Sequence, residues 1–217
     1  MPKPYYETEL GKLYHGDCLE IMPMLEPVDL VLTDPPYGIN HKTSHGASWE
    51  GTAIAGDTNT SIRDTALNGF ENMAVFGTWK TPPIKNIRGC LVWNKGPAFG
   101  MGDLAFPWKP SWELIYICGK IWNGRRDEGV LSGHIQVSWE SKGRKHPHQK
   151  PISLMCHLLE KALDASVILD PFLGSGTTAI ACERLNRRWI GIEIEEKYCE
   201  ISARRIEKER QQLKLFT

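Results

Sequence analysis

The stretch Val28–Tyr37 reads VDLVLTDPPY, an apolar strand that runs directly into two consecutive prolines. Apart from one acid, its first six residues are apolar or β-branched, a composition typical of a strand buried in a sheet. The strand must end at the prolines, because a proline has no N–H to donate to a neighbouring strand. Asp34 is therefore predicted to stand at the carboxyl end of a core strand.

Three more acidic residues stand in the same kind of position. Asp17, Asp170 and Glu193 each follow a short run of strand-like composition and come before a helical pattern. This alternation predicts an α/β fold with a largely parallel sheet. Such sheets bind ligands outside the carboxyl ends of their strands. A single acid at such a place is more often a helix cap, but four together favour one ligand-binding crevice.

The segment Asp170–Ala179 reads DPFLGSGTTA and joins a predicted strand to a predicted helix. Its glycines allow a tight turn and let a ligand approach the helix N-terminus closely. The letters fit the degenerate dinucleotide pattern G-x-G-x-x-A, and Glu193 stands near the spacing expected of an acid that binds ribose hydroxyls. No Gly-Lys-Ser/Thr follows, so this is not a Walker phosphate loop. The segment predicts an adenosine-type cofactor and leaves nicotinamide and sulfonium cofactors both open.

The tetrapeptide Asp34-Pro35-Pro36-Tyr37 resembles the catalytic motif of the amino-methylating DNA methyltransferases, whose pattern is Asp/Asn/Ser-Pro-Pro-Tyr/Phe. Members of that family use S-adenosylmethionine, and the resemblance implies a catalytic role for all four residues. The Asp34 carboxylate and the Pro35 carbonyl would each accept one N–H of the target amine, with Pro36 keeping that carbonyl rigid. Tyr37 would stack on a base flipped out of the duplex, which recovers about 1–3 kcal/mol of the cost of flipping.

The resemblance extends to the cofactor site. Residues 146–151 read HPHQKP and are similar to the family's HPTQKP, with His148 in place of the threonine. Lys150 is accordingly expected near the carboxylate of the cofactor. The resemblance implies that S-adenosylmethionine contacts Asp17, Asp34, Lys150, Asp170, Pro171, Phe172, Gly174, Ser175, Gly176, Thr177, Thr178 and Glu193.

The catalytic motif precedes the cofactor loop, which is the order found in the beta group of the family. The resemblance implies a Rossmann-like class I methyltransferase fold, circularly permuted, with helices on both faces of a seven-stranded and mostly parallel sheet. The strand over Glu113–Cys118 is expected to be antiparallel. The 217 residues suit one domain, with a catalytic half over 1–120, a short recognition segment over 119–149 and a cofactor half over 150–217.

Nucleic-acid contacts must come from local clusters, because the net charge of the chain is zero at pH 7. The recognition segment carries a basic run suited to phosphate contacts, although a solvated charged loop explains that run nearly as well. The loop over 38–61 also has the length of a functional segment. DNA contacts are predicted at Lys142, Arg144, Lys145, His41 and Lys42.

Composition restricts the class and location of the protein. The six cysteines include no C-x-x-C pair, which indicates reduced thiols instead of a zinc ribbon or a disulfide framework. No signal peptide or membrane span is expected, because no apolar run approaches about 18 residues. His146 and His148 lack further ligands at suitable spacing, so no metal is expected. We expect a protein of the bacterial or phage-infected cytoplasm; the family is compatible with a homodimer and with a cognate restriction endonuclease.

The substrate is predicted to be adenine in double-stranded DNA, because Asp-Pro-Pro-Tyr is commoner in adenine enzymes and Ser-Pro-Pro in cytosine enzymes. Transfer to the exocyclic amine of cytosine stays open as an alternative. A nicotinamide-dependent oxidoreductase would leave the tetrapeptide unexplained and would lack a third glycine in its loop. A catalytically silent DNA-binding module is disfavoured, because all the expected site residues are present.

Overall fold

Nine strands form one sheet in the part of the chain that the computed structural model describes, residues 2–39, 57–96, 107–108, 111–132 and 149–214. The strands are β1 (Tyr6–Glu7), β2 (Gly11–His15), β3 (Leu30–Thr33), β4 (Met73–Gly77), β5 (Ile87–Asn94), β6 (Trp112–Cys118), β7 (Val130–Leu131), β8 (Val167–Asp170) and β9 (Arg188–Glu193). The helices are α1 (Cys18–Ile21), α2 (Ser61–Ala66), α3 (Ile152–Leu159), α4 (Thr177–Arg184) and α5 (Glu196–Lys214).

The strand order is β1-β2-β9-β8-β3-β4-β6-β5-β7. Strands β2, β9, β8, β3 and β4 run parallel to one another, and β6 lies antiparallel between β4 and β5. The predicted mostly parallel sheet, with β6 antiparallel, is therefore confirmed; the two-residue edge strand β1 is a second antiparallel strand. Seven strands have four or more residues, as expected. The other two, β1 and β7, have two residues each and extend the sheet at its edges.

The core lies in two layers, one on each face of the sheet. Leu30 and Leu32 of β3 pack in the layer that holds buried residues of α3, α4 and α5. Val31, the residue between them, points to the other face and packs with buried residues of α1 and α2. This alternation follows from the two-residue period of a strand. It confirms the prediction of helices on both faces.

Within the described ranges, no helix combines the length and the apolar composition that crossing a bilayer requires.

Candidate active site

Four acidic residues meet at one edge of the sheet. Strands β2, β9, β8 and β3 are consecutive parallel neighbours, so their carboxyl ends share that edge. Asp17 and Asp34 follow β2 and β3, while Asp170 and Glu193 are the last residues of β8 and β9. The four acids predicted to share one edge of the sheet therefore do so.

Asp170 joins the catalytic motif to the glycine-rich loop. Its carboxylate accepts hydrogen bonds from Thr33 Oγ1 at the end of β3 and from Thr178 Oγ1 in α4, both at 2.6 Å. The Phe172 N–H donates a third at 3.1 Å. Burial raises the pKa of Asp170 to about 6 in spite of these three bonds. The residue before Asp34 is thus bonded directly to the start of the loop, a role for Thr33 that the sequence analysis missed.

The loop between β8 and α4 is held in its turn by helix α5. Gly176 caps α4 with a φ of +83°, a left-handed conformation that favours glycine. The Ser202 hydroxyl donates to the carbonyl of Gly174 at 2.7 Å, and Arg205 donates to the Ser175 hydroxyl at 2.9 Å. Ser202 and Arg205 were missed because they lie in α5, beyond the loop in sequence. They pin the backbone that a cofactor would approach.

Glu193 and Asp17 also hold backbone at this edge. The two carboxylate oxygens of Glu193 accept from the N–H groups of Gly174 and Glu195, each at 2.8 Å, and burial raises the pKa of Glu193. Asp17 caps α1 by accepting from the Leu19 N–H at 2.8 Å. The helix-cap reading of Asp17 is therefore correct, and it is compatible with a ligand role because a carboxylate oxygen has a second lone pair.

The four residues of the catalytic motif form a short, rigid turn. Pro35 is buried and Asp34 is partly exposed, with 21% of its side chain accessible. The Tyr37 hydroxyl donates to Asp34 Oδ1 at 2.7 Å. Asp57 fixes the chain after the motif by accepting from the Gly38 N–H at 2.7 Å. The Asp34 side chain thus reaches polar partners instead of packed hydrocarbon.

The carboxylate of Asp34 is part of a buried group of alternating charges. Lys150 Nζ donates to Asp34 Oδ2 at 2.6 Å and lies 3.1 Å from Glu113 Oε2 on β6. Lys95, just after β5, is paired with the other oxygen of Glu113. The prediction placed Lys150 near the cofactor's carboxylate; in the structure its ammonium lies on Asp34, 3.3 Å from the Tyr37 hydroxyl.

The charges in this group shift one another's pKa values. Burial raises the pKa of Asp34, more than Lys150 lowers it, and Glu113 raises it further. Burial would also raise the pKa of Glu113, but Lys150 and Lys95 hold it below its usual value. Burial would lower the pKa of Lys150, but the two carboxylates keep it raised. Glu113 and Lys150 therefore hold each other in the ionised form, whereas burial makes Asp34 bind its proton more tightly than an exposed aspartate does.

Glu113 and Lys95 escaped the sequence analysis. Each is a single charged residue in or beside an apolar strand, and that unusual placement is the signal that could have found them. The predicted DNA contacts Lys142, Arg144, Lys145, His41 and Lys42 lie outside the described residues and stay predictions. Among the described residues, no three His, Cys, Asp or Glu side chains are grouped so that they could hold a metal ion.

The chemistry of this edge suits an adenosyl sulfonium. Carboxylates of Asp17 and Glu193 can accept hydrogen bonds from amino and hydroxyl groups. A Cβ at Gly176 would lie 3.1 Å from Ser202 Cβ, so the loop can pass close to α5 only with glycine there. Four acids against Lys150 leave the edge negative, which favours a cationic ligand centre. The residues present therefore fit the group that the sequence implies.

Solved structures share this architecture. The crystal structure of the M1.HpyAVI–SAM complex matches with a TM-score of 0.62 at 25% identity, over 90% of this chain and 100% of that chain. PvuII DNA methyltransferase, described as cytosine-N4-specific, matches with a TM-score of 0.63 at 17% identity, over 97% and 94% of the two chains. The sheet with helices on both faces is therefore the fold of the class I methyltransferases.

The sequence comparisons give matches to DNA methylases. A family model described as DNA methylase, of the N6/N4 group, matches residues 109–204. Type II methyltransferase M2.DpnII of Streptococcus pneumoniae is 27% identical over 254 residues, covering 96% of this chain and 94% of that protein. Over residues 109–204 the chain is therefore similar to the N6/N4 DNA methylases, and over nearly its whole length it is similar to a type II methyltransferase.

Proposed function

We propose that the chain transfers a methyl group from S-adenosylmethionine to the exocyclic amine of an adenine flipped out of double-stranded DNA. The observation that carries this proposal is the 2.6 Å hydrogen bond from Thr33 to Asp170. It joins the end of β3, directly before Asp34, to Asp170, the first residue of the glycine-rich loop. The group that would orient an amine and the loop that would hold the cofactor therefore follow two neighbouring parallel strands.

The residues of the motif act on the amine. Its lone pair is delocalised into the purine ring, so the free amine is a poor nucleophile. Asp34 and the Pro35 carbonyl each accept one N–H, which favours a more pyramidal nitrogen and directs its lone pair toward the methyl group. S-adenosylmethionine, when bound, supplies an electrophilic methyl on a sulfonium. Asp34 is also the nearest base for the proton that leaves the methylated nitrogen.

Tyr37 and the surrounding chain make the extruded base stable in the site. The Tyr37 hydroxyl is fixed by Asp34, so the ring is held beside the reacting carboxylate. Stacking on such a ring is worth about 1–3 kcal/mol, which offsets part of the cost of flipping. None of the six cysteines follows a proline, and no covalent intermediate is needed for direct transfer to an amine.

Adenine is proposed over cytosine because the motif begins with aspartate instead of serine. The test is to incubate the protein with labelled S-adenosylmethionine and unmethylated plasmid DNA, then to identify the labelled nucleoside by mass spectrometry. N6-methyldeoxyadenosine is the expected product. Labelled N4-methyldeoxycytidine would instead show that the methylated base is cytosine and would overturn the proposal of adenine. Absence of label in DNA, with label in RNA or protein instead, would contradict the substrate class.

A further inference from the structure

We infer that Glu113 is a positioning residue for this reaction: it shares the ammonium of Lys150 with Asp34 and so keeps an acceptor on Asp34 available to the target amine. The inference rests on the proposed function of Asp34. Glu113 lies on β6, two strands away from the catalytic motif, and nothing in the tetrapeptide or the cofactor loop points to it.

Each oxygen of Asp34 already accepts one hydrogen bond, which leaves one lone pair on each for the target amine. Its Oδ1 already accepts from Tyr37 at 2.7 Å and its Oδ2 from Lys150 at 2.6 Å. An ammonium bound to Asp34 alone would compete with the amine for Oδ2, since a charge-assisted hydrogen bond is roughly twice as strong as a neutral one. A second anion within reach of Lys150 weakens that competition.

Glu113 provides that second anion. Its Oε2 is buried and forms an ion pair with Lys150 Nζ at 3.1 Å, but the pair lacks the geometry of a hydrogen bond. A buried acceptor without a well-directed hydrogen bond is costly, so a small rotation of the ammonium from Asp34 toward Glu113 improves this bond without leaving a charge unpaired. Lys95 holds the other oxygen of Glu113 and fixes its direction.

The rings around Lys150 limit where its ammonium can go. Nζ lies 4.9 Å from the centre of the Phe76 ring and 5.7 Å from that of Tyr37, and only 5% of the side chain is exposed. The ammonium can therefore move between the two carboxylates but not into water. The ammonium of Lys150 thus exchanges one carboxylate for the other while it stays buried.

The charged groups around Asp34 determine the direction in which its pKa moves in each variant. The groups that face its carboxylate are Tyr37, Lys150, Glu113 and Lys95. Two more acids lie further away: Asp170, beyond the Thr33 contact, and Asp57, which faces Tyr37. Glu113 raises the pKa of Asp34 and Lys150 lowers it. Glu113→Gln should therefore move the titration of Asp34 to lower pH, and Lys150→Gln should move it to higher pH.

The matched control is Glu209→Gln. Glu209 pairs with Arg184 at 2.6 Å and is 11% exposed, against 18% for Glu113, but it lies on α5 away from the motif. The Asp34 carboxyl is followed by ¹³C NMR as a function of pH, with Asp34→Asn used for assignment. Turnover with DNA is measured on the same proteins.

At the pH plateau we expect Glu113→Gln to lower turnover about 10-fold, less than the roughly 10²–10⁴ of a group that acts on the substrate directly, because Glu113 acts through Lys150. The affinity for S-adenosylmethionine should change less than 3-fold. Glu209→Gln should change neither turnover nor the Asp34 titration. If Glu113→Gln does not fold, the double variant Lys95→Gln/Glu113→Gln restores neutrality and carries the same expectation.

Two results would overturn the inference: turnover of Glu113→Gln equal to that of Glu209→Gln, or an Asp34 titration that moves in neither variant. The NMR titration needs neither DNA nor cofactor, so it separates this inference from the function. A wild-type protein that does not methylate DNA, yet shows the two opposite shifts, would refute the proposed function and leave the coupling of Glu113, Lys150 and Asp34 standing.

Discussion

Asp34 has two oxygens, and both are already bonded in the structure. Tyr37 and Lys150 hold the carboxylate in one orientation, so the residue is set before any substrate arrives. A positioned acceptor requires such a fixed orientation, because a catalytic group lowers the barrier most when it does not have to reorganise during the reaction.

Asp34→Ala is expected to lower turnover by roughly 10²–10⁴, the range for a lost positioned polar group. Cofactor affinity should stay close to that of the wild type, because the glycine-rich loop is untouched. The fold should survive, since Lys150 keeps its ion pair with Glu113. Steady-state methylation and isothermal titration calorimetry measure the two quantities.

The control for this variant is Glu26→Ala, which removes an acid from an exposed ion pair with Arg188. Such pairs contribute little, and turnover should not change. Wild-type turnover in Asp34→Ala would rule out the catalytic assignment.

At the scale of elements, the segment between β8 and α4 depends on the conformation of Gly176. A side chain there would have to adopt a φ of +83° and would meet Ser202 atoms at 3.1–3.3 Å. Helix α5 approaches the loop closely at this point because its Ser202 hydroxyl bonds the Gly174 carbonyl. The loop, α4 and α5 therefore make one unit.

Gly176→Ala is expected to destabilise the protein by about 2 kcal/mol, from left-handed strain and crowding against Ser202, and to weaken S-adenosylmethionine binding. Gly69→Ala is the matched control, since Gly69 also has a positive φ of +92° but nothing within 4 Å. It should cost about 1 kcal/mol through strain alone, with cofactor affinity unchanged. Urea unfolding and calorimetry report both effects; equal cofactor affinity in the two variants would argue against a cofactor role for the loop.

Element boundaries show where local patterns were sufficient. The sequence pattern predicts a helix over 177–185, and α4 ends one residue earlier, at Arg184. Apolar spacing predicts a helix over 18–25 as well, but α1 ends at Ile21 and a 3₁₀ segment with Pro23 in its first turn follows. The apolar spacing after Pro151 extends to Leu163, but α3 ends at Leu159 and Leu163 is 54% exposed.

At the scale of the whole molecule, several buried carboxyls make the stability depend on pH. Asp34, Asp170 and Glu193 all have raised pKa values, mainly because of burial. A carboxyl with a raised pKa in the folded state binds its proton more tightly there than in the unfolded chain. Its contribution therefore favours folding at low pH and is lost as the pH rises through the folded pKa.

For Asp170 the shift from 3.8 to about 6 corresponds to about 3 kcal/mol. Between pH 4 and pH 7 the free energy of unfolding of the wild type should therefore fall by about that much relative to Asp170→Asn, which does not titrate. Urea unfolding of both proteins across this range gives the difference. Parallel curves for the two proteins would show that Asp170 ionises normally in the folded state.

The sequence by itself determined the α/β class, the largely parallel sheet, the four acids at strand ends and the glycine-rich turn between β8 and α4. These follow from local rules: strand and helix periods, the end that prolines impose on a strand, and the conformational freedom of glycine. Such rules act over a few residues, so they can be read without knowing which segments meet.

Only the tertiary structure decided what surrounds Asp34. Thr33 meets Asp170 across 137 positions, and Lys150 meets Asp34 across 116; Glu113 joins them from an antiparallel strand. Each of these residues gains its role by being buried beside an opposite or hydrogen-bonding partner. Burial and pairing depend on how distant segments pack, which no local pattern records.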